Sequence, residues 1–321
     1  MSPTSRAMPR SMWRCRIPSV LAVPTARSSS PKFDARSAHL SSSQGALQIM
    51  NVASIVLVDG AVANSIPVDD RGLMYGDGVF RTLRVVDSVP RWWNEQLAKL
   101  TVDCGRIGLP APDVAEWNRD LATIAPSLSA GVLKLLVTRG SGPRGYSPQA
   151  AQKNRRLMRY DPGHMDAKRD FAAGISVRLC ALRLGWQPRL AGVKHLNRLE
   201  NVLARAEWDT PEFDEGLLLD QSEQVISGVM SNLFIWHRNR LLTPRLDQCG
   251  VAGAARDRLM RLARAQGLNV EETRLSLQAV LEADEAMLTN SLWGLRRVAR
   301  LEAKIWPHPV ISSRLSALLD A

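Results

Sequence analysis

Leu190-Ala191-Gly192-Val193-Lys194-His195-Leu196-Asn197-Arg198-Leu199-Glu200 reads as a short extended piece that runs into a helix, with Glu200 and Asn201 in the first turns of that helix. A lysine at such a junction is by itself ordinary, because short motifs recur by chance and most lysines are solvated. Lys194 gains weight only from the company it keeps along the chain.

Downstream of this segment, residues 198–208 carry a helical pattern and 216–219 and 233–236 read as strands. A helix is predicted over 254–265, ending near Gly267, with further strands at 269–272, 285–288 and 298–301. Upstream, 175–183 is strand-like. Nearer the start, 55–58, the turn Asp59-Gly60 and 79–86 read as strands and turns, followed by helices at about 93–107 and 114–124 and a strand at 132–138. This alternation predicts a small α/β domain over 50–160 and a larger one over 170–321. The polar stretch 160–169, with Pro162 and Gly163, supplies the linker, placed at 161–169.

The chain has 321 residues, 45% of them hydrophobic, enough for two domains with their own cores. Its formal charge of +11 invites a nucleic-acid reading, but residues 1–49 hold seven Arg or Lys against the single acid Asp34, and the remainder carries only +5. That Ser-, Arg- and Pro-rich opening has no apolar period and is expected to be disordered. Its makeup resembles a transit peptide, yet Met50 directly precedes the first strand-like run, so an overlong translation start is the preferred expectation. No run of apolar residues is long enough for a membrane helix. Cys15, Cys104, Cys180 and Cys249 are scattered without a C-x-x-C pair and the five histidines are isolated, so no metal site is expected, and a cytoplasmic location suits the thiols.

Four further segments accompany the lysine: Asp70-Arg71-Gly72-Leu73-Met74-Tyr75-Gly76-Asp77-Gly78-Val79-Phe80, Thr138-Arg139-Gly140-Ser141-Gly142-Pro143-Arg144-Gly145-Tyr146, Ser231-Asn232-Leu233-Phe234, and Thr243-Pro244-Arg245-Leu246-Asp247-Gln248-Cys249-Gly250-Val251-Ala252-Gly253. Together with 189–200, in this order, they resemble the aminodeoxychorismate lyases. These are a branch of the fold-type IV pyridoxal-5'-phosphate (PLP) enzymes that also includes branched-chain and D-amino-acid aminotransferases. The likeness spans about residues 54–300. It implies a two-domain fold-type IV architecture, α+β or α/β (D-amino-acid aminotransferase-like), with PLP carried as a Schiff base on Lys194 and a homodimeric assembly.

The residues are chemically suited to what the resemblance implies. A lysine must be neutral to attack an aldehyde, and burial beside a cation such as Arg198 lowers its pKa; the freed amine can then move a proton at the substrate carbon. Gly250-Val251-Ala252-Gly253 leads into the helix at Ala254 and can aim backbone N–H groups at a phosphate, with Val251 and Ala252 as the contacts. Thr289 and Asn290 resemble the second phosphate-side turn, and Asn232 belongs to the Ser-Asn-Leu-Phe motif. Lys99 stands where the family places an arginine that pairs with the phosphate, keeping the charge and losing the fork. Ser227 stands where the family has the glutamate that bonds the pyridine nitrogen, and a serine cannot hold that ring protonated comparably. Glu223, four residues away, is expected in the preceding turn. Arg139 and Arg144 flank a Gly-rich loop suited to an anionic substrate. Arg81 and Arg84 lie on opposite faces of a strand, so at most one is expected to face the site, and the resemblance favours Arg84 for the substrate.

The implied reaction is conversion of 4-amino-4-deoxychorismate to 4-aminobenzoate and pyruvate. Lys194 removes the proton from the carbon bearing the substrate nitrogen, the enolpyruvyl group leaves, and the ring becomes aromatic. A fold-type IV aminotransferase is the nearest alternative, because a fold does not fix its chemistry. A non-catalytic PLP-binding descendant is favoured by Ser227 and Lys99. A nucleic-acid binder rests on charge alone, and neither nucleic acid nor a membrane is expected as a partner.

Overall fold

The computed structural model describes residues 54–110, 113–148, 153–163 and 173–320. The tail expected over 1–49 and the linker residues 164–169 lie outside them.

The first part of the chain runs β1 (Ile55–Val58), β2 (Ala61–Val62), α1 (Arg71–Tyr75), β3 (Gly78–Val86), β4 (Val89–Pro90), α2 (Trp93–Arg106), α3 (Val114–Ile124), β5 (Gly131–Thr138) and β6 (Arg155–Pro162). Its strands form one sheet in the order β2-β1-β6-β5-β3-β4, every pairing antiparallel. β3 shows why: Val79, Arg81, Leu83 and Val85 alternate inward with Phe80, Thr82, Arg84 and Val86 on the other face, the period of a strand with one buried side. Gly78 opens the strand because a Cβ there would sit 2.4 Å from the Val137 carbonyl oxygen. On α2, Leu97, Leu100 and Cys104 make the buried stripe that packs with Leu83, Leu133, Leu135 and Trp117 in one core.

The second part runs β7 (Ile175–Leu184), α4 (Leu199–Arg205), β8 (Glu215–Asp220), β9 (Val225–Gly228), β10 (Asn232–His237), β11 (Arg240–Pro244), α5 (Ala254–Ala265), β12 (Val270–Thr273), α6 (Leu277–Leu281), β13 (Glu285–Asn290), β14 (Gly294–Leu301), β15 (Lys304–Ile305) and α7 (Ser312–Asp320). The sheet order is β12-β11-β10-β13-β14-β7-β8-β9, with β15 on β14. Three pairings, β11 with β12, β14 with β7 and β7 with β8, are parallel and the others antiparallel. One face packs Ile235, Leu288 and Val298 against α6, and the other packs Phe234 and Met287 against α5 and α7. Of the two architectures expected, the wholly antiparallel first sheet and mixed second sheet make the chain α+β.

Two differences from the sequence reading have plain causes. Residues 160–162, placed in a polar linker, complete β6; Tyr160 is fully buried there and Arg159 and Asp161 pair with each other on the exposed side. The short β9 and β11 went unrecognised because one ends in Ser-Gly and the other in Pro244, all three turn residues by composition.

The lysine segment crosses between the two sheets. Phe80 N–H donates to the Lys194 carbonyl at 3.0 Å and Leu196 N–H to Gly78 O at 2.9 Å, which ties the segment to β3. On its other side, Gly192 N–H donates to Gly250 O at 2.9 Å and Ala252 N–H to Gly192 O at 3.0 Å, which ties it to the turn before α5.

Candidate active site

A cavity of about 770 Å³ opens along this crossing, walled by β3, the lysine segment, β9, the start of β10, the 250–255 turn and the 290–293 turn. Lys194 lines it, half-buried, with its Nζ 4.7 Å from the centroid of the Phe80 ring. Burial chiefly, and then the nearby cations Arg81 and Arg198, hold its ammonium down at about 7, against a usual 10.5. Asp103 of α2 fixes the backbone here: its carboxylate accepts the Lys194 N–H at 2.9 Å and pairs with the Arg81 guanidinium.

His195 and Arg198 form a second group on the wall, the guanidinium donating to the His195 ring nitrogen Nε2 and, at 3.0 Å, to the His195 carbonyl. Burial and then Arg198 push the imidazole down to about 4, so it is neutral at pH 7 and free to accept. Arg198 is itself pushed down to about 10 by burial, a shift that leaves it charged at neutral pH.

The far end is built from backbone. Gly253 is the N-cap of α5 with no side-chain cap, so the first N–H groups of that helix are open where Ala254 and Ala255 line the cavity. Asn232 secures the turn, donating to Val251 O at 2.7 Å and accepting from Gly253 N–H at 3.1 Å. Residue 253 must be glycine because a Cβ would lie 2.5 Å from Asn232 Oδ1. Opposite, Asn290 Oδ1 accepts the N–H groups of Leu292 and Trp293 at 2.9 and 3.0 Å, folding a second turn, and Gln96 donates to Ser291 Oγ at 2.8 Å. An uncapped helix terminus is suited to a phosphate, and a buried lysine held near neutrality to an aldehyde.

The family model for amino-transferase class IV matches residues 78–301. The chain belongs to the class IV aminotransferase family. Among its relatives, the aminodeoxychorismate lyase of Vibrio harveyi is 34% identical over 251 residues, 77% of this chain and 91% of that protein. A putative branched-chain-amino-acid aminotransferase of Methanocaldococcus jannaschii is 30% identical over 243 residues, 75% of this chain and 84% of that protein. A crystal structure of 4-amino-4-deoxychorismate lyase from Pseudomonas aeruginosa matches with a TM-score of 0.79 at 41% identity, covering 83% of this chain and 98% of that one.

In this class IV chain the residues nominated from sequence fall into two groups. Lys194, Arg84, Ser227, Asn232, Val251 and Asn290 line the cavity together. Ala252 and Thr289 stand just behind it, the Ala252 N–H engaged by Gly192 and the Thr289 hydroxyl donating to Gly294 O. Lys99 points elsewhere, its Nζ paired with Asp257 of α5. Arg139 is buried away from the cavity wall, donating to Asp77 at 2.8 Å and to the carbonyls of Ile107 and Gly108 at 2.9 Å each. Arg144 is exposed on the loop that Arg71 holds through the Gly145 and Tyr146 carbonyls. Glu223 is in a turn, paired with Arg183. The alternation of β3 does put Arg81 and Arg84 on opposite faces, yet both reach the wall, because Arg81 lies between β3 and α2 beside the cavity. Arg81, Asp103, Gln96 and His195 were not nominated. Arg81 and Asp103 could have been found as opposite charges at inward positions of β3 and α2; nothing in the sequence singles out Gln96.

Proposed function

We propose that this chain is a PLP-dependent lyase that converts 4-amino-4-deoxychorismate to 4-aminobenzoate and pyruvate. The observation that carries the reading is the placement of Lys194, an amine held near neutrality in a cavity that ends at the uncapped N-terminus of α5. The similarity to lyases from Vibrio harveyi and Pseudomonas aeruginosa supports the choice of substrate.

The residues fit PLP. Lys194 would hold it covalently, the first turn of α5 and the 290–293 turn would receive its phosphate, and Ser227 and Asn232 would flank the ring. When bound, PLP supplies an electron-accepting ring conjugated to the substrate nitrogen. Freed as an amine, Lys194 would take the proton from the carbon bearing the substrate nitrogen as the neighbouring C–O bond breaks, the electron pair leaving on the enolpyruvyl oxygen, and its ammonium would return that proton as pyruvate forms. Arg84, Arg198 and Arg296 on the wall provide positive charge for a substrate carrying two carboxylates. Neutral His195 orients Arg198 without adding charge.

Transamination is the second reading, favoured by the family model and by the Methanocaldococcus jannaschii relative. Side-by-side incubation of the PLP-loaded protein with 4-amino-4-deoxychorismate, and with amino acids plus 2-oxoglutarate, separates the two: pyruvate and 4-aminobenzoate in equal amounts support the lyase. Rapid exchange of amino groups supports the aminotransferase, and PLP binding with neither product supports a non-catalytic descendant.

A homodimer belongs to the same reading. Leu73 and Met74 on α1 and Leu199, Val202 and Leu203 on α4 are exposed apolar residues, and Asn197, donating to Gly76 O, joins these elements. Sedimentation velocity tests it. The separate cores of the two sheets support division into domains over 50–160 and 170–321, and three buried free thiols suit a cytoplasmic location.

A further inference from the structure

We propose that Arg81 supplies the side-chain positive charge that holds the cofactor phosphate, a role that Lys99 does not fill. The inference rests on the PLP reading above. A phosphate dianion at the N-terminus of α5 needs a cation as well as backbone N–H groups, since the helix end carries only a partial charge. Lys99 is paired with Asp257 in the opening turns of that helix and does not line the cavity.

Arg81 does line the cavity that Gln96, Ser291, Ala254 and Ala255 also line, and is only 1% exposed. Its guanidinium donates to the carbonyl of Lys99, the residue whose ammonium pairs with Asp257 in the first turn of α5. Both of its hydrogen bonds among the described residues, to Asp103 and at 3.3 Å to the Lys99 carbonyl, leave from one terminal nitrogen. Its Nε–H is buried and has no partner among the described residues. A guanidinium has five N–H donors in a planar fork, and a buried donor left unmade is expensive. An arginine lodged between a strand and a helix, anchored at one corner by Asp103 and keeping an unfilled buried donor on a cavity that an uncapped helix terminus also lines, is suited to receive a phosphate. Lys99, by neutralising Asp257, removes a repulsive charge from the same end.

The test compares PLP with pyridoxal, which lacks only the phosphate, measuring the affinity of each for the cofactor-free protein by absorbance titration. In Arg81→Gln the preference for PLP over pyridoxal falls by about 10- to 100-fold, the size expected for a lost charged hydrogen bond, on top of any change in Lys194 reactivity, which weakens both ligands alike. Arg81→Lys, which keeps a cation beside Asp103, retains part of the preference and decides the matter if Arg81→Gln does not fold. Lys99→Gln alters the preference less than Arg81→Gln does. Equal weakening of both ligands in the Arg81 variants, or a preference that collapses in Lys99→Gln and survives in Arg81→Gln, overturns the proposal. Failure of the wild type to bind either ligand overturns the PLP reading instead.

Discussion

Replacing Lys194 by methionine should stabilise the cofactor-free protein, and the gain should depend on pH. Burial and two neighbouring guanidinium groups bring the lysine from 10.5 to about 7, and each unit is worth ~1.36 kcal/mol of differential interaction. The ceiling on the cost of a charged Lys194 is therefore about 5 kcal/mol. Lys194 retains access to the cavity, where water screens it, so a gain of roughly 1–3 kcal/mol is expected for the apolar and similarly shaped methionine. Because the folded-state pKa lies below the unfolded one, the unfolded chain binds more protons between these values, and wild-type stability rises with pH across that window. The gain in Lys194→Met is thus largest below pH ~7 and vanishes above pH ~10.5. Urea unfolding of both cofactor-free proteins at the two ends of the window measures it. A methionine variant no more stable than wild type below neutrality, or equally more stable at both ends, would refute the electrostatic account of the site.

Gly253→Ala should weaken PLP binding by tenfold or more, because the added Cβ meets Asn232 Oδ1 and disrupts the bond that sets the turn before α5; an unchanged dissociation constant would show that the turn does not hold the cofactor. Arg139→Ala should lower folding stability by about 1–3 kcal/mol, since it strands two carbonyls and leaves Asp77 to Arg71 alone, whereas exposed Arg144→Ala should change it by less than ~0.5 kcal/mol; equal effects in a urea series would contradict the placement of Arg139. Ser227→Glu should raise transaminase activity more than lyase activity, by about tenfold for a 1.4 kcal/mol change in barrier. A carboxylate can keep the cofactor ring protonated, which transamination needs more than an elimination driven by aromatisation, so a wild-type protein that already transaminates as fast as it eliminates would sink that argument.

Much of this was legible in the sequence because it is periodic or rests on ordered motifs. α3 and α5 begin and end where the helical patterns at 114–124 and 254–265 predict. Lys194, Asn232 and Val251, more than 50 residues apart at the extremes, line one cavity. Side-chain direction was less accessible. Lys99 sits at the expected helical position, but only the packing of α2 against α5 reveals that Asp257 draws its ammonium away. Arg139 lies in the expected loop, but the carbonyls that bind it come from the end of α2, 31 residues earlier. The Arg81–Asp103 pair joins a strand to a helix 22 residues on, a distance at which a single sequence carries no pairing signal beyond opposite charge.

The central claim, that Lys194 is the covalent seat of PLP in a lyase, is tested most directly by borohydride reduction of the PLP-loaded protein followed by peptide mapping, with pyruvate release measured before and after. The account predicts a single stable pyridoxyl label on the peptide holding Lys194, loss of turnover in proportion to labelling, and neither label nor turnover in Lys194→Ala. A label on any other lysine, or turnover that survives complete reduction, would contradict it.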